Sequence, residues 1–265
     1  MAGMFSGSTI SLLPENNRLE RIWILAKTDF KLRYSTNILG IFWAFVFPLI
    51  RILIYYIVFS YVFAKDIPHY GLYIFSGIII WMYFQEATKK GIAVIRSKRY
   101  LFENIRFNKL DVYYSSVLTS LIGLIVNLFV FIIILQLMQI PLTWKLLYYP
   151  LYILNLVILA LGLSLILSTI HVYLKDITQI WDLFLLLMFW INPIFFAKQK
   201  VFEMIPQLLY LNPIAGIIIN SRDVIMYGKE PDWFITAYDF AYAGIVLIIG
   251  LVVFKKYFHK AIEKV

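Results

Sequence analysis

No cysteine occurs in the sequence, so disulfide frameworks, thiolate nucleophiles and cysteine-ligated metals are excluded. Charge is scarce: 15% of the 265 residues are Asp, Glu, Lys or Arg, against roughly 25% in a soluble domain. With 62% hydrophobic residues, a water-facing surface cannot be assembled, and lipid must be much of the solvent. The three histidines, His69, His171 and His259, have no metal-ligand spacing, so no metal site is expected. The sequence contains no G-x-S-x-G elbow, no H-E-x-x-H pair and no G-x-x-x-x-G-K-[ST] phosphate loop. The chain is therefore expected to be neither an enzyme nor an ATPase. Glu86, Asp111, Asp176, Asp182 and Asp239 flank apolar runs, and the mid-membrane carboxylates usual in proton coupling are missing. Met1 to Thr9 lacks a basic n-region, and no secretory leader is expected.

What the sequence does hold is apolar runs, basic residues and aromatics. An all-α polytopic membrane protein is expected, because about 20 mostly apolar residues cross the hydrocarbon as a helix. Six such segments are read: Ile38 to Ala64, Gly71 to Glu86, Val112 to Met138, Leu147 to Ile170, Leu183 to Phe196 and Thr236 to Phe254. The fifth is short and interrupted by Asn192-Pro193. The net charge of +9 fits membrane phosphates and the positive-inside bias better than nucleic acid. Seventeen Lys and Arg fall on the side holding both ends of the chain and six on the other, so both termini are expected in the cytoplasm.

Three regions do not span. Arg18 to Tyr34 places Leu19, Ile22, Trp23, Ala26, Phe30 and Tyr34 on one helical stripe, with most basic residues off it. That pattern predicts an amphipathic helix in the interface plane, turning at Ser35 to Asn37 into the first span. Residues 86–111 form a basic segment too long for a plain connection. It reads as an anchor to anionic lipid or as a docking element, and "LFENIRF" favours docking. Residues 197–234 hold two short apolar pieces parted by Asn212-Pro213, expected as re-entrant helices in the outer half of the membrane, with a seventh span across Pro206 to Met226 as the alternative.

Arg51 lies near the middle of the first span, where a cation must face protein or water. It is either a structural partner or a cation lining a path for an anionic substrate. Tyr55, Tyr56 and Phe59 crowd the outer half of that span, and Phe189, Trp190, Phe195 and Phe196 crowd the fifth. Sugar rings stack on aromatic planes, so these residues are channel-lining candidates as well as belt and packing residues.

"DFKLRYSTNILGIFWAFVFPLI", with Arg33-Tyr34, Leu39-Gly40, Trp43 and Pro48, resembles the start of the ABC-transporter permeases that export O-antigen, capsule and teichoic acid. "YIFSGIIIWMYFQEA", "LKDITQI", "FWINPIFF" and "LNPIAGIIINSRDVIMYG" continue the resemblance in order over most of the chain. The sequence departs from that family at "FENIRFNKLD", where members often have a Phe-Pro pair, and at Arg51, usually apolar. The resemblance implies a homodimer with a channel between the subunits, moving a lipid-linked polysaccharide across a bacterial inner membrane. It also implies two separate ATP-binding cassette subunits, which would bind ATP and Mg, so the chain itself needs no cofactor. Arg33 and Tyr34 would frame the substrate entrance, where a diphosphate would meet cations. Arg96, Lys98, Arg99, Tyr100, Phe102, Glu103 and Arg106 would couple to the ATPase. Asn192, Pro193, Asn212, Pro213 and Arg222 would form the external gate. The alternatives are an ABC permease for a drug or small lipid and a membrane-bound glycosyl or acyl transferase; the scattered acids argue against the transferase.

Overall fold

The computed structural model describes residues 17–35, 40–63, 67–104, 107–197 and 207–264. Among them every regular element is helical, as expected where backbone N–H and C=O groups must be satisfied within their own segment. In chain order these are α1 (Arg18–Ser35), α2 (Trp43–Phe63), α3 (Tyr70–Ser97), α4 (Arg99–Asn104), α5 (Leu110–Leu137), α6 (Tyr149–Tyr173), α7 (Ile177–Ile191), α8 (Gln207–Leu211), α9 (Pro213–Tyr227) and α10 (Trp233–Glu263).

Among the described residues, three stretches are long and apolar enough to cross a membrane: Leu110–Leu137, Trp144–Tyr173 and Trp233–Phe258. Shorter apolar stretches, Leu49–Val58 and Ile177–Ile191, lie in α2 and α7. The second expected span, 71–86, and the basic segment after it are not separate. α3 runs unbroken for 28 residues, about 42 Å at 1.5 Å per residue, and hydrocarbon is about 30 Å thick. The Lys90–Glu86 pair at 2.8 Å, one turn apart, supports the helix past the expected end.

α6 is the central helix, packed on α3 and α10. Small residues set its approach to α10. A Cβ added at Gly162 would lie 2.7 Å from the Leu247 nitrogen, and one at Gly250 would lie 2.6 Å from the Gly162 carbonyl oxygen. The two backbones touch there, which is how helices associate in lipid without a hydrophobic driving force.

α1 lies on α5, and its expected stripe divides. Ile22 and Ala26, together with Leu25 and Arg21, are buried, while Leu19 and Trp23 are exposed. The helix thus presents one apolar face to protein and a second one outward. The turn expected at Ser35 to Asn37 falls mostly outside the described residues.

Caps fix the starts of α9 and α10. The Asn212 side-chain oxygen accepts from the Ile214 N–H at 3.2 Å with Pro213 at the first helical position of α9. Asp232 accepts from Phe234 and Ile235 N–H, each at 3.1 Å, to start α10. The apolar piece of 201–211 is described only as α8, and α9 carries the second piece.

Candidate functional site

Proline closes α7. The residue before a proline is disfavoured in helical geometry, and the helix ends at Ile191, just before Asn192-Pro193. The Met188 carbonyl keeps its helical partner, the Asn192 backbone N–H at 2.9 Å, and also accepts from the Asn192 side-chain amide at 2.7 Å. The second Asn-Pro break meets the first: the Asn212 amide donates to the Asn192 side-chain oxygen at 3.1 Å. Both asparagines are buried.

Arg222 of α9 extends this assembly into α3. Its Nε donates to Ser76 Oγ at 3.0 Å, one terminal nitrogen to the Pro193 carbonyl at 2.9 Å, and the other to the Tyr73 carbonyl at 3.1 Å. The guanidinium lies 3.5 Å from the centroid of the Tyr73 ring. Gly77 makes room, since a Cβ there would lie 2.8 Å from the terminal nitrogen Nη2 of Arg222. Arg222 is 3% exposed, and no carboxylate among the described residues stands within ion-pairing distance of it. Neutral acceptors and an aromatic face therefore hold the charge. Tyr73 and Tyr70 add hydroxyl donors to the Phe196 and Phe195 carbonyls at 2.8 and 3.0 Å. The structure thus brings Asn192, Pro193, Asn212, Pro213 and Arg222 to one place and ties them to α3.

Directly beside it stand the aromatics. The Tyr55 ring of α2 is 5.6 Å from Phe189 and 5.3 Å from Phe195. Phe189 is 5.3 Å from both Trp190 and Phe195, and Trp81 of α3 adds a contact to Phe189 at 5.9 Å. Trp190 stacks on Phe195 at 5.5 Å. Phe195 is buried, Phe196 is partly buried, and Trp190 is about half exposed. Tyr56 points elsewhere, over Gly71, where it lines an apolar cavity of about 460 Å3 with Leu53, Tyr70 and Ile134. Arg51 is exposed on α2. Exposed Leu53, Ile54, Ile57 and Val58 follow it, and α7 exposes Leu183, Leu186, Leu187 and Trp190.

The basic end is organised by two acids, Asp111, read from the sequence only as flanking an apolar run, and Asp29. Asp111, fully buried, accepts from Arg18 Nε at 2.8 Å and from Arg21 Nη2 at 2.6 Å. The hydrogen bond that Arg18 donates to Asp111 raises its guanidinium above its ordinary value. Asp29 of α1 forms an ion pair with Lys98, just past the end of α3. Arg99 pairs with Glu103 at 2.6 Å, both largely in solvent, and Tyr100 is exposed. Arg96 is partly buried. Phe102 differs from the docking residue expected of it: it is buried against Phe258 of α10, rings 5.2 Å apart. Its position follows from the aromatic chain Phe258, Phe254 and Tyr113 that it caps. The side chains of Arg33, Tyr34 and Phe59, and all of Arg106, lie outside the described residues. Asp111 had a signal, a carboxylate opening an apolar helix in a chain whose first helix is basic. Asp29 had none beyond its place among cations. Among the described residues no three His, Asp or Glu side chains gather to hold a metal ion.

The profile of the ABC-2 type transporter family matches residues 20–226. An O-antigen export system permease protein RfbA from Klebsiella pneumoniae is 27% identical over 236 residues, covering 88% of this chain and 90% of the relative. An RfbA from Myxococcus xanthus is 26% identical over 211 residues, covering 78% and 81%. The polysialic acid transport protein KpsM from Escherichia coli is 22% identical over 239 residues, covering 86% and 89%.

Proposed function

The chain belongs to the ABC-2 type transporter family, and from that premise we propose that it is the membrane-spanning subunit of an ATP-driven polysaccharide exporter. The relatives named for O-antigen export and polysialic acid transport support a polysaccharide cargo, and a separate ATP-binding subunit supplies the energy. The observation that carries the substrate class is the aromatic cluster of Tyr55, Phe189, Trp190 and Phe195. Its rings stand beside the buried junction of the two Asn-Pro breaks. Such faces pass sugar rings by stacking without gripping any one residue hard.

Two copies form the conduit. Arg51 and the apolar faces of α2 and α7 are exposed on the single chain. A mid-membrane cation facing lipid is costly, so these faces meet a second copy, and Arg51 turns to the path between them. The protein sits in the bacterial plasma membrane with six spans and both termini in the cytoplasm, as the basic residues are distributed. α1 is the interface helix, lying at headgroup level with Leu19 and Trp23 toward lipid. Arg33 and Tyr34 then stand at the entrance, where a lipid-linked diphosphate arrives. ATP-driven closure of the partner subunits moves α3 through the exposed Arg99, Tyr100 and Glu103. The junction of Asn192, Pro193, Asn212, Pro213 and Arg222 opens outward.

Reconstitution tests this reading. Vesicles holding the chain and its ATP-binding subunit move lipid-linked polysaccharide only with ATP. Transport by the chain alone overturns the proposal. Arg51→Ala inserts and self-associates normally while export of an acidic polymer falls; loss of self-association instead assigns Arg51 to packing.

A further inference from the structure

A second basic site lies between α5 and α10, away from the aromatic cluster. There a cleft of about 330 Å3 is lined by Asn108, Lys109, Leu251, Phe254, Lys255 and Phe258. One water occupies about 30 Å3 of liquid volume, so the cleft has room for a polyatomic group. Its two halves differ. Lys109 immediately precedes α5, and Lys255 directly follows the apolar run ending at Phe254. Both ammonium groups therefore stand where hydrocarbon gives way to headgroups. Leu251, Phe254 and Phe258 make the remaining wall apolar. Asp111, the acid nearest in sequence to Lys109, is engaged by Arg18 and Arg21, and the ammonium groups of Lys109 and Lys255 give the cleft its polar wall. Burial pushes the Lys109 ammonium below its ordinary value, and an anion beside it would shift it back up. The Lys109 ammonium also donates to the Phe102 carbonyl, which fixes it at the rim.

We propose that this cleft binds an anionic glycerophospholipid of the adjacent leaflet, its phosphate between Lys109 and Lys255 and its chains along Leu251 and Phe254. A cation pair above an apolar wall complements a phosphate above acyl chains, and the height of the cleft matches the bilayer's own phosphates. A bilayer lipid is favoured over the exported substrate by location. α7, which carries most of the aromatic cluster, packs on α3 and α6, whereas the cleft is built from α10 and the start of α5. The bound lipid would clamp the start of α5 to α10 near Phe102, next to the segment that follows α3.

Native mass spectrometry of the full chain, purified in neutral detergent and titrated with phosphatidylglycerol, reads this directly. The wild-type chain retains bound phosphatidylglycerol and does not retain phosphatidylcholine. Lys255→Gln, at an exposed position that leaves the melting temperature in phosphatidylcholine unchanged, weakens retention about fivefold, as loss of one surface cation implies. Lys109→Gln adds a similar loss, and Lys255→Arg retains the lipid. Equal retention by wild type and Lys255→Gln overturns the proposal. So does equal occupancy by inorganic phosphate, which makes the site a free-anion site. Preferential occupancy by a polyprenyl diphosphate also overturns it and assigns the cleft to substrate.

Discussion

Arg222 shows how much a single buried cation can organise. Three hydrogen bonds from its guanidinium reach Ser76, the Tyr73 carbonyl and the Pro193 carbonyl, so one side chain links α9, α3 and the break after α7. Hydrogen bonds that involve a charged group contribute about 1.5–3 kcal/mol each, and a buried acceptor left unmade costs about 1–3. Arg222→Ala strands the Pro193 carbonyl, and the variant is expected to lose about 3 kcal/mol of stability, read as a lower melting temperature in detergent. Arg222→Lys is expected to recover little, because an ammonium cannot reproduce the planar fork or the stack on Tyr73. A melting temperature for Arg222→Lys equal to wild type would show that charge alone suffices. The sequence marks Arg222 only through a motif, "LNPIAGIIINSRDVIMYG". Its partners Ser76 and Tyr73 lie 146 and 149 residues earlier, and no periodicity reports a contact at that separation.

At the scale of the helices, the informative pair is α1 and α3. Asp29 pairs with Lys98 across elements 69 residues apart in sequence, with both side chains largely out of solvent. Coupling energies of interacting neighbours run about 0.5–3 kcal/mol. Lys98→Asp is therefore expected to leave ATP hydrolysis by the complex running while export drops. The added Asp29→Lys exchange restores export; if it does not, Lys98 acts on the ATPase directly and not through α1. Asp111 anchors the other end of α1. Breaking a buried pair by removing one partner costs about 3–5 kcal/mol. Asp111→Asn should free the helix, so that trypsin cuts at Lys27 and Lys31 much faster than in wild type. Equal digestion would mean that the apolar contacts of Ile22, Leu25 and Ala26 hold α1 without the acid. Both anchors explain what the sequence misled about. A stripe count finds an amphipathic helix but cannot say which of two apolar faces meets protein, because the buried Arg21 is brought inside by an acid 90 residues away. The length of α3 was hidden for a related reason. Charges from Glu86 onward read as the end of a span, although the Glu86–Lys90 pair supports further helix.

For the whole molecule, the junction is where the two Asn-Pro breaks become one object. Helix breaks are tolerated in lipid when neighbouring groups satisfy the backbone there; here Asn192 bonds back to the last turn of α7, Asn212 caps the Ile214 N–H of α9, and the two side chains join. The breaks themselves are legible in the sequence, as are the apolar runs, because Pro acts locally. That the breaks touch is not, since twenty residues separate Asn192 from Asn212. The absence of cysteine makes the consequence testable, because introduced thiols are the only ones present. Asn192→Cys with Asn212→Cys, bridged by a short reducible bis-methanethiosulfonate, holds the junction in the geometry described. Losing the Asn212 cap costs about 1 kcal/mol and losing the Asn192 side-chain hydrogen bonds about 1 kcal/mol each, so insertion and assembly of the double variant are checked before bridging. If the junction must part for polymer to leave, export in vesicles stops on bridging and returns on reduction, and neither single variant responds to the reagent. Export that continues through the bridged protein would move the exit elsewhere, because a junction fixed by a covalent bridge a few ångströms long cannot widen to pass a sugar chain.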